Sequence, residues 1–460
     1  LSSNGKLLAV EVMMELVFVH GWSVTNTDTY AQLPQAIVKL MDPEVALSIR
    51  HIHLGRYISF DDEVRLSDIA KAFNDARVDL LGDKPFAVIT HSTGAPVMRQ
   101  WLQMFFGADK ISDCPLTHLI MLAPANHGSA LAQLGKSRVG RINSFFSGVE
   151  PGQRILDWLE LGSDGQHQLN LHWLKEFTLE GPLPFVLTGE AIDSQFYDYL
   201  NSYTAEKGSD GVVRVASANL NFSHLLLEQT AHSRTSFDGR RISALQLTNH
   251  STPRQQTAFE VINNASHSGN RKGIMGSVTS KNAAKKPVVQ RILQCLKVTE
   301  PLQYQRLCQQ MAESHSVKRK QRTCMLVVRV IDDTGLAVED FDIILLSGAE
   351  FVPGQFAKGF MLDKQRNHSN NHVVTFYFDA NKLAKVSEGK IGLRVDPRPN
   401  NGVCYYRSGE FHSGGEQVQV LLQADQTTMV DIVLQRQISP KTFTLVDSEH
   451  GGDFSHLADD

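Results

Sequence analysis

The sequence lacks the features that would frame it with disulfides, thread it through a bilayer or fit it to nucleic acid. Its 5 cysteines (Cys114, Cys295, Cys308, Cys324 and Cys404) are odd in number, widely spaced and without a C-x-x-C pair. That pattern supplies neither a disulfide framework nor the ligand spacing of a zinc site, so no metal is expected. No apolar run reaches the roughly 18 residues of a membrane span, and the run Leu7 to Val10 is broken by Glu11 and Glu15, unlike the core of a signal peptide. Basic residues are not in excess: 45 Lys and Arg stand against 49 Asp and Glu, a formal charge of -4, which gives no electrostatic footprint for nucleic acid. These absences point to a cytoplasmic protein, with secretion by a signal-independent route left open.

What is present is a change of rhythm along the chain. Residues 1–12 read as an N-terminal extension before Met13 and Met14. Between Glu15 and Ala125 apolar strand-like runs alternate with amphipathic helical stretches, the pattern of βαβ units and a mostly parallel sheet. Within it the spacing of Ile69, Phe73, Ala76 and Leu80 predicts one apolar helix face. The rhythm breaks over about 126–183, read as a helical cap that is either packed permanently on the sheet or mobile as a lid. Strand-like runs then resume, so 13–313 is read as one α/β unit and the basic stretch Lys318, Arg319, Lys320, Arg322 as part of a linker. From Cys324 short β-rich runs separated by turn residues predict an all-β, antiparallel, sandwich-like domain over 323–436, followed by a tail at 437–460. The second unit is expected to be separable from the first.

One turn carries chemistry. Thr90-His91-Ser92-Thr93-Gly94 directly follows the strand Pro85 to Ile89 and precedes a helix with Pro96 in its first turn. Small residues around a serine at a strand-to-helix junction let the backbone turn sharply enough to lift the hydroxyl above the sheet, although serine is also a favoured helix N-cap. Thr90 replaces the glycine that usually opens such an elbow.

Together with Val-Phe-Val-His-Gly-Trp at 17–22 and Met-Leu-Ala-Pro-Ala-Asn-His-Gly-Ser at 121–129, this elbow resembles the bacterial lipase and phospholipase branch of the α/β-hydrolase superfamily over about residues 14–297. The resemblance implies Ser92 as nucleophile and the backbone amides of Trp22 and Thr93 as an oxyanion hole. It implies Asp210, in Ser209-Asp210-Gly211-Val212-Val213, as the acid, with Asp193 in reserve; an ordinary Asp-Gly turn is the competing reading. For the base, His267 in the loop His-Ser-Gly is preferred to His250, which follows a strand. His91, His127 and Trp158 are candidate substrate-binding residues, and the cap residues Phe145, Phe146, Ile155 and Trp173 suit an acyl chain or a buried face equally.

The implied reaction is hydrolysis of a carboxylic ester through an acyl-enzyme, with Ser92, His267 and Asp210 as the triad and no cofactor. Lipase or esterase is the main reading; phospholipase A acting on membrane lipids, a thioester or amide hydrolase, and a catalytically silent binding protein are the alternatives. The expected partner is an acyl-ester or lipid substrate, with peripheral lipid or protein contact through the C-terminal β domain.

Overall fold

Seven-residue apolar runs separated by amphipathic stretches bury both faces most readily as a parallel sheet covered by helices on each side. A computed structural model of the chain has this arrangement; it describes residues 14–20, 30–42, 47–53, 62–132, 152–192, 206–319, 322–386, 389–414 and 421–442. The first eight strands are β1 (Met14–His20), β2 (Leu47–His53), β3 (Phe86–His91), β4 (Leu116–Leu122), β5 (Leu183–Gly189), β6 (Ser223–Thr235), β7 (Arg241–Ser251) and β8 (Ala258–Ile262). Six of these form an all-parallel sheet in the order β2-β1-β3-β4-β5-β8. The helices between and after them are α1 (Leu33–Leu40), α2 (Leu66–Leu81), α3 (Gly94–Phe105), α4 (Gln153–Leu159), α5 (Asp164–Glu176), α6 (Val215–Ala218), α7 (Pro287–Leu296) and α8 (Pro301–Lys318).

Alternate residues of each strand feed two cores. Val17, Val88, Met121 and Val186 pack with Phe73 of α2 and Trp101 of α3, whereas Phe18, Ile89, Ile120 and Phe185 pack with Ile37 of α1, Ile292 of α7 and Tyr304 of α8. Helix α2 is rotated from its predicted face: it buries Leu66, Ile69, Ala70, Phe73, Arg77 and Leu81, while Leu80 is exposed. The long Arg77 side chain can be buried because its guanidinium donates to the Gly82 carbonyl at 2.8 Å. Of the cap, α4 and α5 pack on the α2–α3 side through Ile155, Leu159, Leu169 and Trp173; Phe145 and Phe146 lie outside the described residues. Among the described residues no helix is long and apolar enough to cross a membrane.

The later strands are β9 (Thr323–Asp332), β10 (Phe341–Ser347), β11 (Val352–Pro353), β12 (Met361–Arg366), β13 (Val373–Asp379), β14 (Ile391–Pro397), β15 (Cys404–Tyr406), β16 (Gly409–His412), β17 (Thr427–Leu434) and β18 (Arg436–Ile438). They confirm a β-rich C-terminal region, and the predicted antiparallel pairing holds for six of the nine ladders of its large sheet and is corrected for three. The strands form one ten-stranded mixed sheet, β11-β10-β14-β16-β7-β6-β17-β9-β13-β12, in which β16–β7, β17–β6 and β17–β9 are parallel. A two-stranded sheet, β15–β18, is separate. Leu225 and Leu326 share one core with Ile391 and Phe411 from strands elsewhere in the sheet, so it curls around its own apolar face in the manner of a sandwich.

The hairpin β6–β7 comes from within residues 13–313 yet lies in the middle of this second sheet. The basic stretch after α8 is not a solvated linker either. Arg319 is buried and pairs with Glu190 at 2.7 Å and Asp425 at 2.6 Å, and Arg322 pairs with the other oxygen of Asp425 at 2.6 Å.

Candidate active site

The strand β3 ends at His91 and α3 begins at Gly94, leaving Ser92 and Thr93 to reverse the chain. Ser92 adopts φ 53°, the left-handed region that a side chain occupies at a cost of about 1–3 kcal/mol. Its amide is held by the Leu122 carbonyl at 3.0 Å, which pins the strained residue to the end of β4. Thr90 fits where glycine is usual because Gly94 faces it: a Cβ on Gly94 would lie 3.4 Å from the Thr90 Cβ and from the Val19 carbonyl. Thr93 is buried at the first turn of α3, where the helix presents the positive end of its dipole.

Two loops from distant parts of the sequence meet beside this turn. The His267 Nδ1 lies 2.9 Å from the Asp210 Oδ2, and both side chains are almost wholly inaccessible. A carboxylate oxygen facing a ring nitrogen accepts from it, so the contact places a proton on Nδ1 and leaves Nε2 turned away from the carboxylate. The other Asp210 oxygen accepts from the amides of Val212 at 3.0 Å and Val213 at 2.8 Å. The pair is also joined through its backbone, the His267 amide donating to the Asp210 carbonyl at 3.0 Å. Around His267 the loop is closed by the Ser266 amide on Lys272 and the Ile274 amide on Ser266.

The remaining sequence candidates fall in various places. His91 is buried with its Nε2 3.0 Å from the His267 carbonyl and its ring 4.6 Å from the His267 ring, which ties the elbow to the loop of the candidate base. His250 is exposed on β7, paired with Leu225 in the second sheet, and does not meet Asp210. Trp22 and Asp193 lie outside the described residues. Trp158 is half-buried in the cap, its carbonyl accepting from Ser163 Oγ at 2.7 Å and its indole filling the space beside Gly165.

His127 belongs to a buried polar hub. Asn170 Nδ2 donates to its Nδ1 at 3.0 Å, and Arg99 donates to Asn126 at 3.2 Å and to Asn170 at 2.8 Å. Burial first, then the Arg99 charge, push the His127 imidazole down to about 3, so it stays neutral. Burial likewise lowers Arg99 to about 9.

Sequence reasoning missed two constellations because their members are far apart in the chain. Asp431 Oδ2 lies 3.1 Å from His224 Nε2 and 3.3 Å from His167 Nε2, linking α5 to β6 and β17. These donor atoms are close enough together for a metal, but the Arg329 guanidinium, 3.2 Å from His167 Nε2 and 3.8 Å from Asp431, already sets a cation against the carboxylate. Around the Asp210 loop, Arg214, Glu206, Asp363 and Tyr377 form the second constellation.

The fold and the site together define a carboxylic ester hydrolase of the α/β-hydrolase fold, of the bacterial lipase and phospholipase type. No protein-family model and no curated protein matches the chain. Among solved structures it is similar to phospholipase PlaB from Legionella pneumophila, with a TM-score of 0.86 and 40% identity over 96% of this chain and 98% of that one. The same phospholipase in complex with thio-NAD gives a TM-score of 0.84 and 39% identity over the same shares of the two chains. This chain belongs to the PlaB phospholipase family.

Proposed function

We propose that the chain hydrolyses the acyl esters of phospholipids through a triad of Ser92, His267 and Asp210. The observation that carries the reading is the buried 2.9 Å contact between His267 Nδ1 and Asp210 Oδ2, tied through His91 to the elbow that displays Ser92. The phospholipid substrate is drawn from the printed name of the relative; the chemistry of the triad is common to lipases and esterases.

In this mechanism Ser92 Oγ attacks the ester carbonyl carbon and His267 Nε2 takes the hydroxyl proton. Asp210 holds the imidazole in the tautomer that leaves Nε2 basic and stabilises the imidazolium that forms. The amides of Thr93 and Trp22 receive the oxyanion, and the N-terminus of α3 adds its dipole. Collapse breaks the ester C–O bond, the leaving alcohol takes the proton from His267, and an acyl group remains on Ser92. Water then attacks the acyl-enzyme by the same route, returning the Ser92 proton and releasing the fatty acid.

The test is release of fatty acid from phosphatidylcholine and phosphatidylglycerol vesicles, from a triglyceride emulsion and from p-nitrophenyl butyrate, with Ser92→Ala as the blank. Phospholipid hydrolysis abolished in the variant is expected. Hydrolysis of the soluble ester alone would reduce the proposal to a simple esterase, and failure of a fluorophosphonate to label Ser92, with no turnover of any ester, would turn it into a binding protein.

A further inference from the structure

We infer that the second sheet is part of the catalytic apparatus, with Tyr377 and Asp363 as positioning residues for Asp210. The inference rests on Asp210 being the acid of the triad proposed above.

Asp210 stands at the tip of a short closed turn. The Val215 amide donates to the Gly208 carbonyl at 2.8 Å, the Asp210 amide to the Val213 carbonyl at 3.2 Å, and Ser209 bridges Arg214. The two ends of this turn are each fastened to the β12–β13 edge of the ten-stranded sheet, while its middle rests on the parallel-sheet core through Val212 and Val213, with Ser129 Oγ donating to the Val212 carbonyl at 2.6 Å.

At the first end the Tyr377 hydroxyl donates to the Lys207 carbonyl at 2.6 Å, with the Gly208 carbonyl at 3.1 Å and the Thr323 hydroxyl at 2.8 Å. The approach is close enough to require glycine: at φ 68° a Cβ on Gly208 would come within 2.4 Å of Thr323 Oγ1 and 2.9 Å of the Tyr377 hydroxyl. At the other end Arg214 is fully buried, with its guanidinium 4.1 Å over the Tyr377 ring. It makes a two-pronged pair with Glu206 at 2.9 and 2.6 Å and a further pair with Asp363. Burial alone would lower its pKa; the carboxylates, Glu206 foremost, outweigh that and keep the group charged.

Asp363 and Tyr377 are direct partners across β12 and β13, and the register slips between Met361 and Asp363. Such a bulge re-aims the residues beside it, and here Asp363 meets a charge from the other half of the chain. Between the anchors at Gly208 and Arg214 lie only the five residues Ser209 to Val213, Asp210 among them. A carboxylate that must stay within about 0.5 Å of its working position is therefore oriented from the second sheet. Loosening either anchor lets Asp210 drift from His267 without touching the nucleophile or the surface that meets substrate.

The test uses the full-length chain and p-nitrophenyl butyrate, with active sites counted by fluorophosphonate titration carried to completion. Tyr377→Phe keeps the ring under Arg214 and deletes the hydroxyl; Asp363→Asn keeps the shape and deletes the charge. For both, kcat per titrated site is expected to fall about 10–100-fold, the scale of an ångström-sized misplacement, while KM stays within about twofold. A lower titre with wild-type kcat per site would show that the contacts merely stabilise the protein and would overturn the inference. Should one variant give no titratable sites, the other carries the measurement. Asp210→Asn is run alongside. If it is inactive while both other variants turn over normally, the anchor is wrong and the acid stands; if it turns over at the wild-type rate, the acid assignment itself falls.

Discussion

At the scale of single residues, the triad divides sharply in how it can be tested. Single-turnover acylation of His267→Ala by an activated ester is expected to slow by about 10³ or more, as for the loss of a triad base, whereas His250→Ala, exposed on β7, is expected to acylate at the wild-type rate. The opposite pattern would move the base to the second sheet. His127 makes a different prediction. Folded, its ring is held neutral with a pKa pushed down to about 3; unfolded, it protonates near its ordinary value of about 6.5. The unfolded state therefore binds the extra proton, and stability falls as the pH drops through that window, by at most about 1.4 kcal/mol per pH unit. Urea midpoints between pH 6.5 and 4 should decline less steeply in His127→Gln than in the wild type; equal slopes would exclude the residue as a source of acid sensitivity. The elbow could be read from sequence because it is local: five consecutive residues specify it. The second role of His91, on the His267 carbonyl 176 positions away, had no local signal.

At the scale of elements, the order of strands and helices up to β5 was legible because period-two and helical patterns persist over whole segments. Faces and partners were less so. Leu80 looked like a core position on spacing alone, but burying Arg77 with its own hydrogen bond at the helix end turns Leu80 outward. The basic run after α8 looked like a linker because charge runs are usually solvated, yet Arg319 is a buried anchor between β5 and the turn before β17. Its importance is measurable. Asp425 sits at φ 64°, a conformation asparagine also tolerates, so Asp425→Asn isolates the charge. With both partners buried, the substitution is expected to destabilise the fold by about 3 kcal/mol; a shift in urea midpoint worth less than about 1 kcal/mol would place the pair among solvated surface bridges.

At the scale of the whole molecule, sequence pattern suggested two separable units, and no periodicity in β6 or β7 says which sheet they join. The structure puts the β6–β7 hairpin at the centre of the second sheet, with β16 and β17 along its two sides. A chain ending at Glu313 would expose both edges of the hairpin and leave the turn of Asp210 without Tyr377 and Asp363. It is expected to be insoluble, or soluble and inactive toward p-nitrophenyl butyrate; full kcat from the shortened protein would contradict the shared architecture. The same insertion governs the order of events on the ribosome. Ser223 and its neighbour Thr428 are 205 residues apart, an interval that takes roughly 10–40 s to synthesise at about 5–20 residues per second. Throughout that time the parallel sheet can form, but the hairpin waits with its edges unpaired and is open to chaperones or to aggregation. The nucleophile is thus made early and the proposed seat of its acid late, so ester hydrolysis is expected only after β12 and β13 have been synthesised.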